Sequence, residues 1–364
     1  MRKMTAFVSM MTAFALMAAP VYAAEAESAV SEAEAVVSEA EAAVSEAEAA
    51  VSEAAASEEA APEAADGEAL SLYVLAGPTG IGAMNLWASS DAGETSQPYK
   101  ITMTGANDEV IAALSNGDAD VAAIATNLAA TLYNKTEGGI SVLAVNTLGV
   151  LSILENGDSI ASVKDLAGKT IYAPGQGANP EYILRYVLSG NGLDPDKDVT
   201  IEFVAEGSEL LNVWETAPDA VIMAPQPVAT TLLMQNEGAK KALDMTEEWD
   251  AVSGGDSTLM MGCVVARNDY IEEHPDAIAA FLKDYQVSIG TALGNIAGTA
   301  ELCEKYGLIP KAPLAQKAIP ECGLTYVEGE DMKTQLAGYL SVMFDANPKS
   351  VGGALPADDF YYVA

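Results

Sequence analysis

The order of apolar and polar positions divides the chain into three stretches. From Thr5 to Ala19 almost every residue is apolar; Arg2 and Lys3 precede the run and Pro20 breaks it. Val21-Tyr22-Ala23 then puts small residues at the −3 and −1 positions of a cut after Ala23. About 15 apolar residues fall short of the roughly 20 that span a bilayer, so residues 1–23 read as a cleaved secretory signal peptide, with retention as an anchor the alternative. No Cys lies near the cut to carry a lipid. From Ala24 to Glu68 the pattern is a heptad: Val30, Val37, Val44 and Val51, each followed by a Ser, among 14 acids and no base. Period seven suggests a coiled coil, but one Val per heptad buries little and unpaired Glu residues repel one another. Residues 24–68 therefore read as a solvated low-complexity spacer, with a weakly self-associating helix the alternative; Pro62 and Gly67 end it.

From Ala69 onward the pattern switches repeatedly between periods of 2 and 3.6, strand then helix. Leu70–Leu75 alternates as a strand and Gly77-Pro78-Thr79-Gly80 turns it. Strands at Lys100–Met103, Val121–Ile124 and Ser141–Val145 follow, with helices at Asp108–Ser115 and Thr126–Tyr133 between them. The pattern restarts after Val163–Lys169, with strands at Thr170–Ala173, Val199–Val204 and Ala220–Met223 and helices at Glu181–Leu188 and Val228–Gln235. Leu259–Val265 reads as a buried return strand around Cys263, and helices dominate from Pro275. Repeated βα units predict an α/β fold of largely parallel sheets with helices on both faces. The expected organisation is 69–147 as the first part of lobe 1, 148–258 as lobe 2, and 259–364 as the return to lobe 1 with C-terminal helices. Two such lobes place a ligand cleft between them, at the carboxyl ends of the strands.

Charge narrows the function. With 17 Lys+Arg against 53 Asp+Glu the net charge is −36, which repels phosphate backbones and leaves nucleic acid out as a partner. Three Cys and one His supply neither a thiolate zinc site nor a site needing two imidazoles, and neither metal nor cofactor is expected. No P-loop and no G-x-S-x-G occurs.

Asn116–Ala123, Val163–Thr170 with Pro174-Gly175, Leu193–Val199, Ala224–Pro227 and Glu273–Leu282 together resemble segments of a known group. The chain from Leu70 to Phe344 resembles the substrate-binding proteins of ABC importers, in the nitrate/sulfonate/taurine and thiamine-pyrimidine group. The resemblance implies a two-lobed, periplasmic-binding-protein-like (type 2) fold. It also implies an exported monomer, periplasmic or at the cell surface, that closes on a small organic or oxyanionic solute and delivers it to a permease.

The candidate site lies in the loops that follow the strands: Thr79 and Gly80; Thr126 and Asn127; Asn146 and Thr147; Gln176, Gly177 and Asn179; and Gln226. Hydroxyls, amides and glycines near helix N-termini suit a small polar ligand, although the same residue types also serve as ordinary caps and turns. None of these loops holds Lys or Arg, which disfavours a highly charged phosphate. Trp214 and Trp249 are the better candidates for stacking on a ring, with core packing the alternative. Cys303 and Cys322 flank a helix-loop segment and, in an exported chain, are candidates for a disulfide. His274, between Glu273 and Pro275, reads as a solvated helix cap.

Two other function classes compete with a non-enzymatic receptor. One is an enzyme on the same fold, of thiamine-pyrimidine or menaquinone-pathway type. Pyrimidine synthases use an active-site His and a cysteine-rich motif, whereas here the single His lies outside the candidate loops and no two Cys are neighbours. The other is a surface adhesion or sensory protein with the spacer as its stalk.

Overall fold

The computed structural model describes residues 69–363 except 206, 255 and 256. The expected signal peptide (1–23) and spacer (24–68) lie outside the described residues. Among the described residues no helix is long and apolar enough to cross a membrane.

Eleven strands among the described residues form two sheets. The first is built from β1 (Leu70–Leu75), β2 (Tyr99–Thr104), β3 (Val121–Ala125) and β4 (Ile140–Thr147). The second takes β5 (Leu151–Asn156), β6 (Thr170–Pro174), β7 (Thr200–Val204), β8 (Val221–Pro225) and β9 (Ala239–Asp244). The chain then returns to the first sheet with β10 (Gly262–Arg267) and β11 (Leu324–Glu328). The strand orders are β11-β4-β10-β3-β1-β2 and β7-β6-β8-β5-β9.

The two sheets repeat one plan: second strand, first, third, a crossing strand, fourth. β1 runs parallel to β2 and β3, and β6 runs parallel to β7 and β8. The inserted strand is antiparallel to both neighbours, β10 between β3 and β4, and β5 between β8 and β9. This corrects the expectation of largely parallel sheets. The βα-unit strands within each sheet do point one way, because a helix returns the chain to the same end each time. The strand that crosses over from the other sheet enters from the opposite end and pairs antiparallel; β5 arrives directly from β4, and β10 arrives after the helix Met245–Ser253.

The first crossing is short, and the second, which includes the helix Met245–Ser253, ends tied to it. Leu148–Val150 joins β4 to β5, and the Met261 amide just before β10 donates to Thr147 O at 2.9 Å. Leu148 N donates to Gly323 O at 2.7 Å, fastening the first crossing to the turn before β11.

Helix packing follows the apolar period. In the helix Pro275–Gly294 the buried Ile278, Phe281, Leu282, Tyr285 and Ile289 form one stripe against Leu72, Val74, Val121 and Val264. In the helix Asn179–Gly190 the buried stripe is Tyr182, Ile183, Val187 and Leu188. A single apolar cluster runs from Val142 and Val145 of β4 through Ile153 of β5 and Ile171 of β6 to Trp249 and Tyr339. Core therefore continues from one sheet to the other behind the crossings.

Both stacking candidates prove to be core. Trp249 is fully buried, with its ring 4.5 Å from Tyr186, 5.4 Å from Tyr339 and its Nε1 3.4 Å from Ser257 Oγ. Trp214 is buried against Leu154, Leu210 and Ile222, and its Nε1 donates to Ala220 O at 2.8 Å. Each indole thus has its faces covered and its N–H bonded, which leaves no ring face for a solute. The disulfide is corrected as well. Cys303 and Cys322 share one apolar cluster but are free thiols, and Cys322 Sγ donates to Ala318 O at 3.1 Å. They pack there as small hydrophobes in a dry pocket.

Candidate functional site

Every sequence-chosen loop sits at the carboxyl end of a strand. Thr79 and Gly80 follow β1, Thr126 and Asn127 open the helix after β3, and Asn146 and Thr147 end β4. Gln176, Gly177 and Asn179 follow β6, and Gln226 follows β8.

The first-sheet residues converge on Gly262, where β10 begins between β3 and β4. A Cβ at Gly262 would stand 2.4 Å from Thr79 Cγ2, 2.7 Å from Asn146 Oδ1 and 2.9 Å from Thr147 Cβ. Only glycine allows these three to close in on the strand. Asn146 Nδ2 donates to Tyr285 Oη at 2.8 Å, and Thr147 Oγ1 donates to Asn146 Oδ1 at 3.0 Å. Burial pushes the Tyr285 phenol's pKa up, with the Asn146 bond opposing it, so the phenol stays neutral. Thr126 joins the group through the residues before Gly262. Its Oγ1 donates to Met260 O at 2.5 Å and its amide to Met261 O at 3.1 Å. Thr79 is half-buried with its hydroxyl 3.3 Å from Leu75 O, and Gly80 is buried against Leu75 and Leu308. Asn127 is buried and its carbonyl accepts from Thr131 Oγ1 at 2.8 Å.

The second-sheet residues are held differently. Gln226 is buried; its Oε1 accepts from Thr230 Oγ1 at 2.7 Å and Thr230 N at 3.2 Å. Its own amide donates to Val150 O at 3.1 Å, joining the end of β8 to the first crossing. The loop 175–178 turns through positive φ at Gly175 and Gly177 (76° and 74°), leaving Gln176 and Gly177 exposed. Gly177 N donates to Glu181 Oε2 at 2.7 Å. Asn179 opens the twelve-residue helix and is 2 % exposed, and neither Nδ2 nor Oδ1 finds a partner among the described residues.

The structure thus gathers Thr79, Thr126, Asn146 and Thr147 around one strand start, and no hydrogen bond among the described residues links them to Gln176, Gly177 or Asn179. Thr126, Asn146, Thr147 and Gln226 already commit side-chain polar atoms to internal bonds. Asn179 does not. Sequence reasoning missed Gly262 and Tyr285. A glycine within the apolar run Leu259–Val265 was a readable sign of close backbone approach. Tyr285 carried none, because it lies on a long helix whose partners are remote in sequence. Cavities of about 310 Å³ beside Arg267 and about 530 Å³ beside Arg185 contain none of the chosen residues.

The family model described as NMT1/THI5 like matches residues 99–295, more than half of the chain. No curated protein matches. Among solved structures, an ABC transporter protein from Parabacteroides distasonis is similar at 20 % identity and TM-score 0.68, over 81 % of this chain and 98 % of that one. The periplasmic aliphatic sulphonate binding protein SsuA from Escherichia coli is similar at 16 % identity and TM-score 0.65, over 82 % and 92 %. The alkanesulfonate-binding protein SsuA from Xanthomonas axonopodis pv. citri, bound to MOPS, is similar at 13 % identity and TM-score 0.59, over 81 % and 96 %. At these identities the likeness shows the fold: a two-sheet α/β architecture of the periplasmic-binding-protein kind.

Proposed function

We propose, for a chain that belongs to the NMT1/THI5 like family, that it is the exported solute-binding protein of an ABC importer. The observation that carries this reading is the pair of like-ordered sheets joined by two crossings, the end of the second bonded to the start of the first, with the polar loops at the carboxyl ends of β1, β3, β4, β6 and β8. Such a pair of sheets closes on a ligand by bending at its crossings, and needs no nucleophile, base or metal to do so. In this reading 69–147 and 259–364 form one lobe and 148–258 the other. The chain leaves the cell interior on residues 1–23, acts as a monomer and hands a small solute to a permease. The names of the similar proteins support transport as the setting, and the names themselves belong to those proteins.

A receptor is favoured over an enzyme by the state of the reactive groups. Burial pushes all three Cys thiols up, Cys303 to about 12, so none is a ready thiolate. His274 is an exposed residue between two helices, with its ring 4.6 Å from Tyr270.

Native mass spectrometry of the full chain as purified tests the proposal. The expected outcome is one small molecule bound per chain and released on unfolding. A chain that is empty as isolated, and whose melting temperature is unmoved by sulfonates, pyrimidines, nitrate and thiamine analogues, would remove the reading.

A further inference from the structure

We propose that the cavity of about 530 Å³ beside Arg185 is a second ligand site, which takes a small organic ammonium cation and is coupled to the angle between the two sheets. The coupling, though not the binding, rests on the solute-binding reading above. The cavity draws its walls from both parts of the fold. Tyr182, Arg185 and Tyr186 lie on the helix Asn179–Gly190, which packs on β6 of the second sheet. Ala346 and Asn347 end the helix Gly329–Ala346, which follows β11 of the first sheet. The two helices touch beside it, and none of the polar residues at the strand ends lines it.

Charge selects the ligand class. Two carboxylates and one guanidinium line the cavity among the described residues. Arg185 Nε donates to Glu181 Oε1 at 2.7 Å, and these two charges offset each other. Arg185 Nη1 also donates to Asp196 Oδ1 at 2.8 Å, but the Asp196 side chain is 75 % exposed. So exposed a pair is weak, and its carboxylate loses little by turning to a new partner. One negative charge is thus left over. The eighteen-residue helix Gly329–Ala346 ends at the cavity, which adds the negative end of its dipole and carbonyls that lack intrahelical partners. Tyr182 and Tyr186 add rings whose faces attract a cation. A carboxylate, sulfonate or phosphate would meet the surplus charge and the carbonyl end. An ammonium on a small apolar body satisfies both and covers the rings.

Two features couple this site to the rest of the molecule. A ligand that touches helices from both sheets binds with an affinity set by how those sheets stand to each other, and by linkage it biases that angle in turn. The second feature is a hydrogen bond that leaves the cavity. Glu181, which holds Arg185 through Oε1, accepts from Gly177 N at Oε2 at 2.7 Å. One carboxylate therefore fastens both the guanidinium in the cavity and the loop 175–178 at the end of β6.

The test is titration calorimetry on the full chain with phenethylammonium and phenylacetate, which match in size and differ in the sign of charge. The expected result is that the cation binds the wild type, the anion does not, and Asp196→Lys weakens the cation by roughly tenfold or more. Ala346→Arg, which brings a rival cation to the cavity, should do the same. Asp196 and Ala346 are both exposed, so the two variants keep the core intact and each backs up the other. Small-angle scattering should show the wild type, but not Asp196→Lys, changing its radius of gyration when phenethylammonium is added. If phenethylammonium does not bind, or binds both variants as it binds the wild type, the site falls, whatever solute native mass spectrometry finds. If it binds and the scattering profile stays the same, the coupling falls while the solute-binding reading stands on its own test.

Discussion

At the scale of single residues, buried polar groups divide into those the fold satisfies and those it leaves open. Glu155, at the end of β5, is of the first kind. Its carboxylate accepts from Ser159 N, Ser159 Oγ (2.7 Å) and Ile160 N (3.0 Å), with Lys240 Nζ 3.4 Å away. Burial alone would raise its pKa, but these bonds outweigh burial and hold it at about 2. A carboxyl whose folded pKa is depressed contributes stability above its unfolded pKa, near 4.5, and loses it as pH falls toward 2. Glu155→Gln should therefore lower unfolding stability at pH 7 by about 2 kcal/mol and flatten its pH dependence between about 4.5 and 2. Denaturant melts at pH 7 and pH 3 check this, and an equal loss at both pH values would count against it. Asn179 is of the second kind. Its candidacy was legible from its place in a Gly-rich loop before a helix, but its lack of partners was not, because that depends on everything packed around it.

At the scale of elements, the βα periodicity was legible almost throughout. The strands at Leu70, Lys100, Val121, Ser141 and Thr170 form where alternation places them, within a residue or two of the expected ends. β5, β9 and β11 were not foreseen; each becomes a strand by pairing with segments remote in sequence, β5 with β8 and β9, and β11 with β4. Local sequence also says nothing of how near two elements stand. A Cβ at Gly262 meets three site side chains, and a Cβ at Gly190, at the end of the Asn179 helix, would stand 2.1 Å from Val252 Cγ1. Both Gly262→Ala and Gly190→Ala should destabilise by roughly 1–3 kcal/mol through overpacking. Only Gly262→Ala should also disturb the Thr79, Asn146 and Thr147 group and weaken solute binding. Thermal melts paired with ligand titration separate the two effects. Equal binding by both variants and the wild type would exclude that group from the site.

At the scale of the whole molecule, the two sheets meet through different kinds of contact. Behind the crossings lies the dry aromatic seam of Tyr186, Trp249 and Tyr339. Elsewhere Lys241 of β9 reaches Glu321, just before β11, at 3.0 Å across a partly exposed ion pair. An exposed pair adds less than about 1 kcal/mol and weakens with salt, whereas a buried aromatic contact does not. Solute-driven bending should therefore keep the seam and alter the ion pair. Small-angle scattering of the full chain should show Lys241→Glu more open than wild type without solute, and both equally compact with saturating solute. Identical profiles in all four states would argue against hinge closure. The sequence by itself determined the α/β class, the positions of most strands and helices, the restart of the pattern near Val163, and the loops that carry polar residues. It did so because side-chain periodicity and turn chemistry act over a few residues. Tertiary structure alone decided that β5 and β10 insert antiparallel into the sheets, that Trp214 and Trp249 are core and that Cys303 and Cys322 stay unbonded. It alone also decided that Asn179 is the buried amide left without a partner. Each of these turns on contacts between segments far apart in the chain, where no local pattern records which neighbour fills the space.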